Sequence, residues 1–308
     1  MSVLSGFLPI WAITAVGWAA GRFDVLGHQA QAVLGRFAFA FAMPALLFLT
    51  LSRARLSELA GPGVAVFAAS LLIVFALGLT LGRLVFRRRQ ADRAIGAMAG
   101  AYVNSANLGI PVAVHVLGDA SFAIAAALFQ TLFITPLILV LIDAEVRRGA
   151  QGRWGRILRL PLRNPIIAAS AAGVTVAALG LRLPEEVTAP VQMLGGAAVP
   201  AALFALGMSL NTRSAGRPSA GGRAERRVLV ALKIAVQPLL AYALGRWVFG
   251  IEGRDLFAVV LCAGLPTAQN AFIFAAEYRL DTALARDAVL LSTLLSMGSL
   301  SLITWLLA

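Results

Sequence analysis

The sequence predicts an all-α integral membrane protein of ten transmembrane helices. They are arranged as two five-helix inverted repeats, with spans 4 and 9 broken and crossing. Three observations predict this: an apolar composition, an alternation of basic and non-basic loops, and short motifs that recur at a near-constant offset. Of 308 residues, 60% are hydrophobic and 13% are charged, and the mean hydropathy is +0.86. A soluble domain is about 45–50% apolar and about 25% charged. This chain cannot cover its apolar side chains with its own polar surface, which excludes a soluble enzyme, a disordered protein and a disulfide scaffold. A β-barrel would alternate polar and apolar residues along each strand, whereas the apolar runs here are continuous.

Ten apolar segments follow one another, at roughly 4–21, 29–51, 62–86, 94–117, 120–142, 165–181, 188–210, 228–249, 256–276 and 285–307. Each is long enough for a helix to cross ~30 Å of hydrocarbon. The first is not a signal peptide, because it lacks a basic start and runs into Gly21-Arg22-Phe23 rather than a small-residue cleavage site. Basic residues crowd the loops after odd spans: Arg87, Arg88, Arg89 and Arg93, then Arg147 to Arg163, then Arg213 to Arg227. The even loops hold only Arg53, Arg55, Arg182, Arg246 and Arg254. Loops rich in Lys and Arg stay cytoplasmic, so both termini are expected outside. The net charge of +12 is then a topology signal that touches the lipid bilayer, and no nucleic-acid partner is expected. The Arg-rich stretch 146–163, with Trp154, reads as a cytoplasmic linker between repeats 1–145 and 164–308, which together make one membrane domain.

The repeats are visible as motifs. Leu8-Pro9-Ile10 with Ala12, Ala15 and Gly17 recurs 156 positions later as Asn164-Pro165-Ile166 with Ala168, Ala171 and Gly173. Pro44-Ala45-Leu46-Leu47-Phe48 recurs as Pro200-Ala201-Ala202-Leu203-Phe204, and Leu81-Gly82-Arg83 recurs as Leu244-Gly245-Arg246. Five spans are an odd number, so the second half enters the membrane from the opposite side. Inverted repeats of this kind are a recurrent plan of secondary transporters.

Spans 4 and 9 are interrupted at corresponding places. Span 4 carries Asn104, Ser105, Asn107, Gly109 and Pro111 at its middle, and span 9 carries Pro266, Thr267, Gln269 and Asn270. Proline removes a backbone donor and clashes with the preceding turn. The freed backbone groups must be satisfied by protein or by a water-lined cavity. A matched pair of Gly/Pro-broken spans points to a transporter's binding site. Half-helix N-termini meeting there would present unpaired N–H groups and partial positive charge, which suits an anion and a carboxylate in particular. These nine residues are the candidate substrate-binding set. The competing reading is that small and polar residues merely glue helices together. Pro44 and Pro200 sit in apolar surroundings and read as kinks.

Four further residues are candidates for substrate contact or proton coupling. Lys233 lies inside span 8 near its cytoplasmic end, where it can either act on a carboxylate or snorkel to the interface. Gln237 follows on the same face. His115 lies one turn beyond Pro111 and reads either as a titrating group or as a hydrogen-bonded buried residue. Glu277 ends span 9 and, like Asp143 at the end of span 5, reads as a solvated helix end or as a coupling carboxylate. Gln130 and Thr131 lie inside span 5, with packing as their simpler role and Thr131 facing the crossover as the alternative.

No cofactor or metal site is expected. One cysteine, Cys262, and two histidines, His28 and His115, cannot build a multi-ligand centre. No nucleophile–base pair or HExxH is present, which argues against an intramembrane enzyme, and the absence of a Walker motif excludes an ATP-driven pump. A channel or a non-transporting sensor on the same fold is the alternative. A channel needs no matched inverted halves, and a sensor would carry a soluble domain that the short loops leave no room for.

These motifs resemble those of the auxin efflux carrier family. Gly6-Phe7-Leu8-Pro9 and Met43-Pro44-Ala45-Leu46-Leu47-Phe48 resemble its first two helices, Asn104-x4-Gly109-Ile110-Pro111 its first crossover helix, and Pro266-Thr267-Ala268-Gln269-Asn270 its second. The resemblance is to bacterial members and covers nearly the whole chain. It implies an inner-membrane carrier of small organic anions, such as carboxylates or auxin-like acids, working by an elevator-type motion. Spans 1, 2, 6 and 7 would form a scaffold able to make a homodimer, and the others a moving transport subdomain. Related sodium-coupled carriers place acidic residues at the crossover, and this sequence has none there.

Overall fold

Continuous apolar sequence in hydrocarbon must form helices, because only a helix satisfies every backbone group within its own segment. The computed structural model describes residues 8–27, 29–53, 61–146, 165–181, 183–211 and 222–307, and these are helical almost throughout. The helices are α1 (Leu8–Arg22), α2 (Ala30–Ser52), α3 (Pro62–Leu84), α4 (Gln90–Ala101), α5 (Ser105–Leu117), α6 (Ser121–Glu145), α7 (Pro165–Ala178), α8 (Glu185–Ser209), α9 (Gly222–Val248), α10 (Gly253–Ala263), α11 (Asn270–Glu277) and α12 (Thr282–Leu307). Six of them, α2, α3, α6, α8, α9 and α12, are long and apolar enough to cross a membrane, and α5 and α7 are shorter apolar helices. The expected linker at 146–163 lies outside the described residues, apart from Val146.

Five helical stretches widen locally to π geometry: Ala38–Ala42, Ser105–Gly109, Gln130–Ile134, Leu232–Val236 and Leu244–Val248. The first four each precede a proline by one residue: Pro44, Pro111, Pro136 and Pro238. The proline ring would strike the carbonyl four residues back, and the wider π turn relieves that clash. The predicted kink at Pro44 therefore takes this form, whereas Pro200 sits within the second half of α8 with no such turn before it.

Two groups of helices pack internally. α1 lies along the second half of α8, and α7 along the second half of α2. In the other group α4 packs on α3 and α6, while α10 packs on α3, α9 and α12. The contact between the groups is made chiefly by α11 against α2 and α8. Helices in lipid associate by close packing rather than by the hydrophobic effect, and small residues let backbones approach. A Cβ on Gly17 would overlap the carbonyl of Phe204, and a Cβ on Gly173 would lie 2.7 Å from the carbonyl oxygen of Phe48. Gly17 and Gly173 hold equivalent places in the repeated motifs, as do Phe48 and Phe204. Each contact thus joins one copy of the first motif to the opposite copy of the second. Gly207 closes on the backbone of Thr14 and Trp18, and Gly195 on that of Leu46.

One end of the molecule is tied by ions. Arg88, from the turn between α3 and α4, donates through Nε and Nη2 to Glu225 of α9, and through Nη2 to Asp281 at the start of α12. The Nη2 distances are 2.7 and 2.9 Å, and all three side chains are buried. These segments all belong to odd-numbered loops, so the loop parity read from the basic residues is respected in space. At the opposite end, Arg254 reaches the Leu117 carbonyl and Arg246 pairs with Glu252.

Candidate functional site

The two interrupted spans meet at their breaks. Between α4 and α5 the chain leaves the helix at Tyr102 to Asn104, and between α10 and α11 it runs non-helically through Gly264 to Gln269. Val103 and Thr267 form an antiparallel bridge. Asn104 N–H donates to the Pro266 carbonyl at 2.9 Å, and Ala268 N–H donates to the Tyr102 carbonyl at 3.2 Å. Backbone groups freed by one break are thus satisfied by the other, as burial in an apolar interior requires.

Neighbouring helices complete the pairing. Gln130 of α6 accepts from Val103 N–H at 2.7 Å and donates to the Val103 carbonyl at 3.1 Å and the Ser105 hydroxyl at 2.8 Å. Ser292 of α12 accepts from Thr267 N–H at 3.1 Å, and the Thr267 hydroxyl donates to the Ala99 carbonyl at 2.6 Å. Span 5 therefore supports the first break and span 10 the second. The Tyr102 hydroxyl meets Thr135 at 2.9 Å and also engages Thr131 and Asn270.

A cavity of ≈ 50 Å³ lies beside this crossing, at the junction of the two helix groups. One wall is apolar and comes from α2, α7 and α8: Met43, Leu46, Leu47, Ile166, Ala198 and Val199. The other wall is polar and comes from the breaks and α6, with Asn104, Ser105, Asn107, Gln130, Thr131, Gln269 and Asn270. Ser105 and Asn270 are the first residues of α5 and α11, so both half-helices begin at the cavity. A helix start has unpaired N–H groups and a partial positive charge. The wall also carries amide side chains and no carboxylate. The arrangement is chemically suited to an anion that can accept several hydrogen bonds.

The nine sequence candidates divide in two. Asn104, Ser105, Asn107, Gln269 and Asn270 line the cavity. Gly109, Pro111, Pro266 and Thr267 are not among its lining residues and build the break instead. Gly109 has no room for a Cβ, which would lie 2.7 Å from Leu265. Pro266 supplies the carbonyl that Asn104 uses, while Pro111 is exposed on the far side of α5. Sequence reasoning favoured packing for Gln130 and Thr131, with Thr131 facing the crossover as the alternative, and gave no role to Tyr102 or Thr135; both Gln130 and Thr131 line the cavity. The signal was a polar Gln-Thr pair inside an otherwise apolar span.

Among the four coupling candidates none lines the cavity. Lys233 is fully buried near the middle of α9, not near its end, so it does not snorkel. Its ammonium donates to the Gln237 side-chain oxygen at 2.7 Å and to the Ala263 carbonyl, at the end of α10, at 2.8 Å. His115 is exposed and not the buried histidine of the simpler reading, because α5 turns that face outward. Glu277 is exposed at the end of α11, as a solvated helix end would be. Asp143 is buried rather than solvated, because α6 extends past it to pack on the start of α4, where Glu145 accepts from Ala91 N–H.

Comparison with known proteins follows the same division of the chain. The membrane transport protein family matches residues 2–150 and 155–304. A protein of Rhizobium meliloti (strain 1021), named as a candidate malonate transporter, is 27% identical over 314 residues, covering 100% of this chain and 97% of its own. An uncharacterized transporter of Methanothermobacter thermautotrophicus is 30% identical over 303 residues, covering 96% of this chain and 95% of its own. A rice protein (Oryza sativa subsp. japonica) named as an auxin efflux carrier component is 30% identical over 139 residues, covering 44% of this chain and 37% of its own. The match in both halves, joined to apolar helices of membrane-crossing length, places the chain in the membrane transport protein family to which the auxin efflux carriers belong.

Proposed function

We propose that the protein is a secondary transporter that carries small carboxylates through the bilayer at the crossing of its two broken spans. The observation that carries this reading is the cavity where both half-helix starts converge with Asn104, Asn107, Gln269 and Asn270. An organic anion placed there gains hydrogen bonds from the amides and favourable charge from two helix starts. The names of relatives, one for malonate and one for auxin, support the carboxylate class.

The reading includes ten spans in two inverted repeats, with both termini outside a bacterial inner membrane. The exchange of Gly17–Phe204 for Gly173–Phe48 supports the repeat. In an elevator-type motion, α3–α6 and α9–α12 move as one body against α1, α2, α7 and α8, which also supply the face for a homodimer. The position of the cavity between these groups, and a contact between them made chiefly by the short helix α11, support that division.

The test is uptake of radiolabelled mono-, di- and aromatic carboxylates into proteoliposomes, with and without a pH gradient. Uptake of one class is expected. Asn104→Ala and Asn270→Ala should each abolish it while leaving size-exclusion behaviour unchanged. Normal uptake by both variants would refute the site.

A further inference from the structure

Lys233 stands apart from every other charged side chain on the helices around it. α9 carries Arg223, Glu225, Arg226 and Arg227 in its first two turns and Arg246 near its end, and α3 carries Arg83 in its last turn. Asp92 and Arg93 open α4, Arg254 and Asp255 open α10, and Arg286 and Asp287 lie in the first two turns of α12. All of these lie towards the ends of their helices. Lys233 lies eleven residues into α9, which is about 16 Å along its axis. Among the described residues its ammonium has no ion pair. Its partners are two neutral oxygens, the Gln237 side-chain amide and the Ala263 carbonyl.

That oxygen set is characteristic of a hard-cation site. Ala263 is the last residue of the half-helix α10, so its carbonyl sits at the partially negative end of a broken helix. In transporters, such half-helix ends and unwound carbonyls are where coupling Na⁺ is held. An isolated charge in an apolar interior is costly unless something there compensates it. Here the helix end compensates, and the charge is covalently attached to the chain. The other break has no such cation: Ser70, at the place in α3 that corresponds to Lys233, bonds only the Phe67 carbonyl of its own helix, and Gln130 supports Val103 instead. The Nε2 of Gln237, fully buried, has no hydrogen-bond partner among the described residues, so both of its amide hydrogens are unused.

We propose that the Lys233 ammonium is a tethered occupant of a monovalent-cation site at the crossing, formed by the Ala263 carbonyl and the Gln237 amide oxygen. The chain thereby carries its own cation, and substrate movement needs no dissolved Na⁺. This deepens the transport reading and rests on it only for the uptake measurement, because the cation site itself can be tested without substrate.

The test compares wild type with Lys233→Ser and Lys233→Met in NaCl and in choline chloride at equal ionic strength. Lys233→Ser vacates the site and keeps its oxygens. Its melting temperature should rise in NaCl over choline chloride, while that of wild type should be the same in both. Lys233→Met fills the volume without charge and should show no Na⁺ response. In proteoliposomes, wild-type uptake should be equal in the two salts. Lys233→Met uptake should fall at least about tenfold, as expected for loss of charge-assisted hydrogen bonds at the crossing. Partial recovery of Lys233→Ser uptake by Na⁺ would support the proposal further. A Na⁺ requirement or a Na⁺-specific melting shift in wild type would overturn it. So would Lys233→Met uptake at the wild-type rate, or a Lys233→Ser protein indifferent to Na⁺. If neither variant folds, the two wild-type measurements still decide. Absence of carboxylate uptake with the melting results as expected would leave the cation site standing and reject the transport reading alone.

Discussion

Gln130→Leu tests how the first break is held. The substitution keeps approximate volume and removes three hydrogen bonds: from Val103 N–H at 2.7 Å, to the Val103 carbonyl at 3.1 Å, and to the Ser105 hydroxyl at 2.8 Å. The Ser105 hydroxyl loses a donor and can turn to another partner, but the two Val103 groups are fixed by the bridge to Thr267. The Val103 carbonyl still accepts from Ser105 N–H at 2.9 Å, so the group orphaned is Val103 N–H, which costs about 1–3 kcal/mol. Interhelical side-chain hydrogen bonds in membranes average roughly 0.6 kcal/mol, which puts a floor near 2 kcal/mol for three. At roughly 2 °C per kcal/mol, the melting temperature should fall by about 4–6 °C. Thermal unfolding followed by size-exclusion at a fixed heating time suits a protein that does not refold. Ser292→Ala is the internal comparison: it also orphans one buried N–H, that of Thr267, but removes one hydrogen bond to the break against three, so its shift should be smaller. The reasoning is refuted if Gln130→Leu melts within about 1 °C of wild type, or if Ser292→Ala is the more damaging change.

Other outcomes follow from packing and charge. Gly207→Ala places a methyl into the backbone of Thr14 and Trp18 and must push α1 from α8; overpacking of this kind costs about 1–3 kcal/mol and should lower the melting temperature, whereas Gly196→Ala, where a Cβ meets nothing, should not. Arg88→Met leaves the buried Glu225 and Asp281 carboxylates without their shared cation; a loss of about 3–5 kcal/mol is expected, and Glu225→Gln, which leaves the Arg88–Asp281 pair, should cost less in the same assay. Pro111→Ala restores a donor on an exposed face of α5, away from the cavity, so uptake should survive it far better than Asn104→Ala.

Much of the chain's plan is written locally. Apolar run length fixes which segments are helices in a bilayer, because an unsatisfied backbone there is too costly, and the Arg distribution fixes which loops share an end. The meeting of Arg88, Glu225 and Asp281 shows that parity in space. The two breaks were also legible, since Asn104 to Pro111 and Pro266 to Asn270 place helix-breaking and amide residues where only helix formers are otherwise tolerated. Composition alone, however, does not separate residues that make a break from residues that face what the break encloses. Pro111, Pro266, Gly109 and Thr267 make it, while Asn104, Asn107, Gln269 and Asn270 face the cavity, and that distinction depends on how far each half-helix is rotated.

Three placements were decided only by tertiary structure. Lys233 looked close to an interface because the apolar run of span 8 starts late; α9 begins earlier, on the charged stretch before it, which moves the lysine to mid-helix and against the end of α10. Gln130 looked like packing because nothing near it in sequence marks its partner, a backbone segment on a different span. His115 and Asp143 exchanged their expected surroundings, exposed and buried respectively, because helix rotation and the reach of α6 are set by neighbours rather than by local pattern. The sequence by itself determined the helices, their breaks and their shared ends, because those obey one-dimensional rules of length, charge and proline. The structure decided which polar atoms meet, because hydrogen bonds between helices depend on rotation and depth, and no local run of residues encodes either.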